Sequence, residues 1–256
     1  MTRAEQLDFM ISELAEGIQT PETEEDKWTA FRSLVNTRRP GPVSRRFLEV
    51  QDAFLHEEAR RKGIITIDDM EKAGDGLYVW QGDITALAVD AIVNAANSGM
   101  TGCYCPCHGC IDNAIHTFAG VQLRNACAEM MAEQGGPEPA GRAKLTPAFN
   151  LPSRYVIHTV GPIVKGRVTE QDRALLRACY RACLAAAEAH GLESIAFCCI
   201  STGEFRFPGP EAAEIAVNTV LEYRKGGGSC HVVFNVFQDR DLKIYRRLLN
   251  GIYNAE

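Results

Sequence analysis

From about residue 76 onward, short apolar runs alternate with segments whose apolar residues recur at helical spacing, and this alternation constrains the fold most. The predicted strands cover residues 77–80, 90–95, 143–150, 155–160, 194–200 and 231–237. The predicted helices cover residues 111–133, 173–190, 210–223 and 239–252. This order predicts an α/β protein, a three-layer αβα sandwich whose mixed, largely parallel sheet is covered by helices on both faces.

Residues 1–72 have a different pattern, without strand-like runs. Their apolar residues recur at helical spacing in two groups, Leu7, Met10, Ile11 and Leu14, then Phe47, Val50, Phe54 and Leu55. A breaker-rich turn at 38–42 separates the two groups. We therefore predict an N-terminal helical extension over residues 1–72 and one α/β domain over residues 73–256.

The charge balance argues against two classes of partner. The chain carries 33 acidic and 27 basic side chains, a formal net charge of −6. A net negative protein is not drawn electrostatically to nucleic acid or to an anionic membrane surface, so we expect neither as a partner. The N-terminus lacks the apolar stretch of a secretory signal, and we expect a cytoplasmic protein.

The ten cysteines fall into two groups. Six lie in apolar segments, where a reduced cysteine behaves as a small hydrophobic residue: Cys127, Cys179, Cys183, Cys198, Cys199 and Cys230. The other four lie between residues 103 and 110, with His108 among them. Core packing does not explain that density, whereas sulfur and imidazole ligands at close spacing suit Zn²⁺.

Two further loops follow predicted strands, and ligands of open α/β sheets bind beyond the carboxyl ends of strands. Asp83, in the loop at 82–85, offers a carboxylate that can accept hydrogen bonds from an exocyclic amine. The loop at 201–205 leads into a predicted helix, whose N-terminus offers backbone N–H groups to a phosphate. Each loop taken alone could equally be an ordinary turn.

The third loop begins with Asn94 and Asn97, whose amides suit a polyhydroxyl ligand such as ribose. With these loops in place, residues 76–253 resemble the macrodomain family. The resemblance is carried by four segments in the right order: VWQGDITALAVDAIVNAAN, CIDNAIHTFAG, RYVIHTVGP and CISTGEF. GCYCPCHGC stands where most hydrolytic macrodomains have a glycine run, and it resembles the pattern of the zinc-dependent subgroup, as does the helical extension.

The resemblance implies Zn²⁺ as cofactor, with Cys103, His108 and Cys110 as its protein ligands. Three protein ligands leave a fourth position open, as in catalytic zinc sites. Two alternatives stay open at this point. Cys105 or Cys107 could close the site as a fourth ligand, or the loop could hold no metal.

The resemblance also implies how ADP-ribose binds. Adenine would lie at Asp83 and Ile84 with Phe237 alongside, and the distal ribose near Asn94 and Asn97. The diphosphate would lie on the loop formed by Ser201, Thr202, Gly203, Glu204 and Phe205.

The implied catalytic group consists of Asp112, Asn97 and His116. Asp112 could instead cap a helix, and His116 could be an ordinary core histidine.

The sequence thus predicts a zinc-dependent hydrolase that removes mono-ADP-ribose from modified proteins, with the modified protein and ADP-ribose as partners. The alternative is a non-enzymatic ADP-ribose-binding reader with a structural zinc, because a fold does not fix a function.

Overall fold

The structure is a computed structural model that describes residues 1–15, 17 and 19–253. Within these residues a seven-stranded sheet has the order β1-β2-β7-β6-β3-β5-β4. Its strands are β1 (Glu71–Gly74), β2 (Leu77–Gln81), β3 (Ala91–Ala95), β4 (Ala143–Pro147), β5 (Tyr155–Thr159), β6 (Ser194–Phe197) and β7 (His231–Val236). The five inner strands are parallel and the two edge strands antiparallel, which confirms the predicted mixed, largely parallel sheet.

Helices cover both faces of this sheet. The helices are α1 (Arg3–Leu14), α2 (Glu24–Thr37), α3 (Arg45–Lys62), α4 (Ile111–Ala119), α5 (Val121–Gln134), α6 (Glu170–Ala189), α7 (Gly209–Lys225) and α8 (Asp239–Tyr253). Helices α6, α7 and α8 pack side by side over one face, while α4 and α5 contact β3 and β4. The predicted αβα sandwich is therefore confirmed.

The core explains why the inner strands could be recognised as apolar runs. All four residues of β6 are buried, because helices cover that strand on both faces. Five of the six cysteines assigned to apolar segments are also buried, and Cys199 is partly buried. These thiols pack as small hydrophobic groups, as predicted.

Helices α1, α2 and α3 form the expected N-terminal extension, with a hydrophobic cluster of its own. Trp28 lies within 6 Å of the rings of Phe31, Phe54 and Phe118. Phe118 belongs to α4 and contacts both the main core and the hydrophobic cluster of the extension. Val121 of α5 also belongs to the cluster of the extension. The extension is thus packed directly against the helices that follow residues 102–110, which we call the cysteine-rich loop.

Several boundaries differ from the sequence prediction. The helix predicted over 111–133 is two helices separated by Gly120, whose φ is +93°. A Cβ at Gly120 would lie 2.6 Å from Nε2 of Gln51 on α3, so the close approach of the extension requires glycine here. The strands predicted over 143–150 and 194–200 end earlier, at Pro147 and Phe197.

Strand β1 was not predicted at all, and it begins within the segment predicted to be helical. It is four residues long, pairs with β2 at the edge of the sheet and is largely exposed, so it carries no apolar run. Among the described residues, no helix combines the length and apolar character needed to cross a membrane.

Candidate active site

The strand order places the candidate loops side by side along one edge of the sheet. Strands β2 and β7 run parallel, with Gln81 opposite Val236, so the loop beginning at Gly82 adjoins Phe237. Strand β6 lies next to β7 and β3 next to β6, so the 201–205 loop and the cysteine-rich loop follow in turn. The four segments therefore form a row along which an elongated ligand could lie.

Asp83 lies at the β2 end of this row and caps a short 3₁₀ turn (Ile84–Ala86). Its Oδ1 accepts hydrogen bonds from the backbone N–H of Thr85 (3.0 Å) and from the Thr85 hydroxyl (2.7 Å). Its Oδ2 accepts from Lys62 Nζ at 2.6 Å. Burial alone would raise the pKa of Asp83, but the Lys62 charge and these donors outweigh burial and hold the pKa below its usual value. Asp83 is therefore an ionised acceptor.

Phe237 follows β7 and is 75% exposed. Its carbonyl accepts a hydrogen bond from Gln81 Nε2 at 3.3 Å, which fixes its backbone beside the Asp83 turn. Ile84, by contrast, has a buried side chain, so only its backbone can face a ligand. An apolar ring and a carboxylate thus lie together at this end of the row.

The 201–205 loop has a constrained start. Ser201 adopts a left-handed conformation (φ 66°), and its buried hydroxyl has no hydrogen-bond partner in the described structure. A Cβ at Gly161 would lie 1.9 Å from Ser201 Oγ, so the loop can approach the segment that follows β5 only because residue 161 is glycine. Gly203 and Glu204 are exposed, and α7 begins shortly after Pro208.

Asp112 lies on α4 and is held by two amides. Asn94 Nδ2 donates to its Oδ1 (2.8 Å), and Asn97 Nδ2 donates to its Oδ2 (3.2 Å). Burial raises the pKa of Asp112 to about 6, although Asn94, Arg124 and Asn97 act in the opposite direction. Cys110, and not Asp112, is the N-cap of α4, so the capping alternative for Asp112 does not apply.

The structure gives Asn94 a different place from the expected one. Asn94 is fully buried and contacts Asp112 and His158, so its side chain does not reach the protein surface. His158 is also buried and lies 2.9 Å from the Thr146 hydroxyl, and burial lowers its pKa to about 4. Asn97 is only partly buried, so of the two asparagines it is the one that a ligand could reach.

His116 lies one helical turn after Asp112, with its Nε2 3.5 Å from Asp112 Oδ1. Neither ring nitrogen has a hydrogen-bond partner in the described structure. Burial, together with the neighbouring His158 and Arg124, lowers the pKa of His116 well below its ordinary value, so the ring is neutral. His116 therefore backs Asp112 without an ion pair.

The cysteine-rich loop brings Cys103, His108 and Cys110 together. One ligand atom from each lies within 4.8 Å of the other two, and Cys103 Sγ is 3.6 Å from His108 Nδ1. Cys110 Sγ also accepts from the backbone N–H of Asn113 (3.4 Å) in the first turn of α4. Burial raises the pKa of the Cys110 thiol to about 12, so this thiol keeps its proton at neutral pH.

The other two cysteines of the loop point elsewhere. Cys105 is exposed, and Cys107 Sγ contacts the carbonyl of Thr29 on α2 at 3.5 Å. Neither joins the three-residue group in the part of the chain that the structure describes. Oε1 of Glu204, in the 201–205 loop, lies 3.6 Å from His108 Nε2, so the two loops meet at this pair of residues.

Sequence reasoning missed basic residues that the fold brings to this site. Lys62, the last residue of α3, lies between Asp83 and the Phe118 ring, 3.0 Å from the ring centroid. Arg124 of α5 is buried beneath the site, and its charge lowers the pKa of Asp112. In the sequence, each looks like one more basic residue of a helix, and neither gives a local signal.

Comparison with known proteins shows the family of this chain. A family profile described as the Macro domain matches residues 93–216. A protein-ADP-ribose hydrolase of Treponema medium is 52% identical, over 98% of this chain and 100% of the relative. A protein-ADP-ribose hydrolase of Staphylococcus aureus (strain MSSA476) is 50% identical, over 90% of this chain and 87% of the relative.

Solved structures show the same fold. A Trypanosoma brucei macrodomain in complex with ADP-ribose superposes with a TM-score of 0.65 and 30% identity, covering 85% of this chain and 94% of that one. These proteins therefore match this chain in fold and sequence over most of its length. The chain belongs to the macrodomain family and, within it, to the protein-ADP-ribose hydrolases, so it is a hydrolase.

Proposed function

We propose that this protein is a zinc-dependent hydrolase that removes mono-ADP-ribose from modified proteins by cleavage at the distal ribose. The observation that carries the proposal is the group of three ligand atoms, all within 4.8 Å of one another, next to a buried carboxylate. The hydrolase relatives and the macrodomain bound to ADP-ribose support the substrate class.

The three residues fit a zinc ion. With Zn–S near 2.3 Å and Zn–N near 2.0 Å, a tetrahedron requires sulfur and nitrogen ligands roughly 3.5 Å apart. Cys103 Sγ and His108 Nδ1 are 3.6 Å apart. The positions of Cys105 and Cys107 favour the open, three-ligand arrangement over the closed one.

The order of the loops supports one orientation of ADP-ribose. Adenine would lie against Asp83 and Phe237, the diphosphate along the 201–205 loop, and the distal ribose beside Asn97. Each segment offers matching chemistry: an ionised acceptor and a ring for adenine, and the approach to a helix N-terminus for phosphate. The ligand's reacting end then falls beside Asp112 and the cysteine-rich loop.

The residues divide the chemistry between them. A bound zinc ion supplies Lewis acidity at the ribose or leaving-group oxygen. The Asp112 carboxylate, fixed by the amides of Asn94 and Asn97, orients the attacking water or a ribose hydroxyl and can accept its proton. Neutral His116 is buried 3.5 Å from Asp112 Oδ1 and contributes to the burial that raises the pKa of this carboxylate.

The alternative of a non-enzymatic reader has no support from the hydrolase relatives. A reader would also have no use for an open metal position next to an oriented carboxylate.

Metal analysis combined with an activity assay tests the proposal. We expect about one zinc per chain in the purified protein, and loss of both the zinc and ADP-ribose release in Cys103→Ser, His108→Ala and Cys110→Ser. Cys105→Ser and Cys107→Ser are matched controls on the same loop and should keep both. Loss of zinc from Cys105→Ser would contradict the open site, and full activity in Cys110→Ser would contradict zinc dependence.

A further inference from the structure

Two side chains of helix α2 in the N-terminal extension, Arg32 and Asn36, hydrogen-bond with backbone groups of the cysteine-rich loop. Thr29 lies on the same face of the helix, and its backbone carbonyl accepts from the Cys107 thiol. The loop makes few hydrogen bonds of its own, such as the one from His108 N–H to the Cys105 carbonyl (3.3 Å). Its shape therefore depends on groups outside it.

Asn36 is the most enclosed of the three, with 1% of its surface exposed. Its Oδ1 accepts from the backbone N–H of Cys107 (2.9 Å), and its Nδ2 donates to the Thr117 hydroxyl on α4 (2.9 Å). Cys107 has a φ of 51°, a conformation that a non-glycine residue holds only with support from its surroundings. Asn36 supplies that support and ties it to α4.

Arg32 holds the loop one residue further on. Its Nη2 donates to the carbonyl of His108 and to Asn113 Oδ1, both at 3.0 Å. Asn113 in turn donates from Nδ2 to the Cys105 carbonyl (3.0 Å) and from its backbone N–H to Cys110 Sγ (3.4 Å). The Arg32 guanidinium thus links the His108 carbonyl to Asn113. Asn113 in turn holds Cys105 and Cys110.

We propose that Arg32 and Asn36 are positioning residues that hold the cysteine-rich loop in its metal-binding shape, making the extension part of the active centre. This rests on the proposed zinc function. The physical reason is preorganisation: groups that fix a metal ligand's orientation typically contribute 10–100-fold in metal affinity. Neither residue touches the ligand atoms, so each acts through the loop backbone and through Asn113.

The test measures zinc affinity directly, by competition with a chromophoric chelator. Arg32→Gln and Asn36→Ala should each raise the dissociation constant for zinc about tenfold or more. Arg32→Lys keeps a cationic nitrogen with enough protons for both acceptors, so it should recover most of the affinity. Controls on the same helix are Lys27→Gln, which breaks a 2.7 Å ion pair with Asp8, and Thr37→Ala, which loses a hydroxyl bonded only within α2.

A second measurement separates positioning from general stability. In zinc-saturated Arg32→Gln, we expect kcat for ADP-ribose release to fall while the dissociation constant for free ADP-ribose stays within about twofold. Circular dichroism shows whether Asn36→Ala folds. If this variant does not fold, the zinc affinities of Arg32→Gln and Arg32→Lys test the inference on their own.

Zinc affinity within twofold of wild type in folded Arg32→Gln and Asn36→Ala would overturn the inference. A wild-type protein that binds no zinc would instead refute the proposed function itself.

Discussion

Asp83→Asn is the substitution that most cleanly tests how the protein would recognise adenine. Asparagine keeps Oδ1, which accepts the two hydrogen bonds from Thr85 and so preserves the cap of the 3₁₀ turn. It replaces Oδ2, which accepts only from Lys62, by an NH₂ group that cannot accept from the adenine amine. Folding and recognition are therefore affected separately.

The expected magnitudes follow from the exposure of these groups. A hydrogen bond to a charged acceptor contributes about 1.5–3 kcal/mol. Because the Asp83 side chain is 38% exposed, the lower half of this range applies, about 1.5–2 kcal/mol. The dissociation constant for ADP-ribose should therefore rise about ten- to thirtyfold. The lost ion pair with Lys62 is partly solvated, so the free energy of unfolding should change by less than about 1 kcal/mol.

Calorimetry with two ligands provides the assay. Wild type should prefer ADP-ribose over inosine diphosphate ribose, in which a carbonyl replaces the amine, and Asp83→Asn should lose or reverse that preference. Asp75→Asn is a matched control, because Asp75 precedes β2, at the opposite end of that strand, and is 95% exposed. If Asp83→Asn weakened both ligands equally, Asp83 would not be reading the amine.

Three further predictions concern the carboxylate, the core and the central loop. Asp112→Asn should lower the rate of ADP-ribose release by about 10²–10⁴-fold with ADP-ribose affinity little changed, and a rate near wild type would exclude Asp112 from the chemistry. Because burial lowers the pKa of His158 from 6.5 to about 4, the unfolded state binds the proton first as pH falls from 6.5 to 4. In urea unfolding, His158 should lower the free energy of unfolding of the wild type by about 3 kcal/mol as pH falls through that window, and His158→Gln should lack this loss. If the free energies of unfolding of the two proteins fell in parallel with pH, the prediction would be wrong. Gly161→Ala should displace Ser201 and weaken ADP-ribose binding by about 1–3 kcal/mol. Gly136→Ala is the control, because a Cβ there would have no atom within 4 Å and should leave the affinity unchanged. If both variants bound ADP-ribose equally well, the 201–205 loop would not contact the ligand.

The fold was predictable from sequence wherever burial requires a continuous run of apolar residues. The inner strands are covered on both faces, so a strand such as β6 is an unbroken apolar run. Prediction failed where the cause lies far along the chain or leaves no apolar signature. Gly120 interrupts a helical pattern because Gln51 of α3 occupies the space beside it, and the exposed edge strand β1 has no apolar run.

The same distinction applies to the site. Four cysteines and His108 stand out in the sequence because they lie within eight residues of one another, and the family resemblance selects Cys103, His108 and Cys110 among them. Lys62 and Arg32 reach the site from helices of the extension, through contacts that no local pattern indicates. Long-range packing therefore decides which basic residues of a helix become part of the site.

The most direct test of zinc dependence is removal and return of the metal in one sample. We expect chelation to lower the rate of ADP-ribose release from a modified protein by about 10⁴-fold, or about 5.5 kcal/mol, and added zinc to restore it. Affinity for free ADP-ribose should largely persist, because Asp83 and the 201–205 loop lie outside the metal group. A zinc-free protein that releases ADP-ribose at the normal rate would contradict the proposal and leave the chemistry to Asp112.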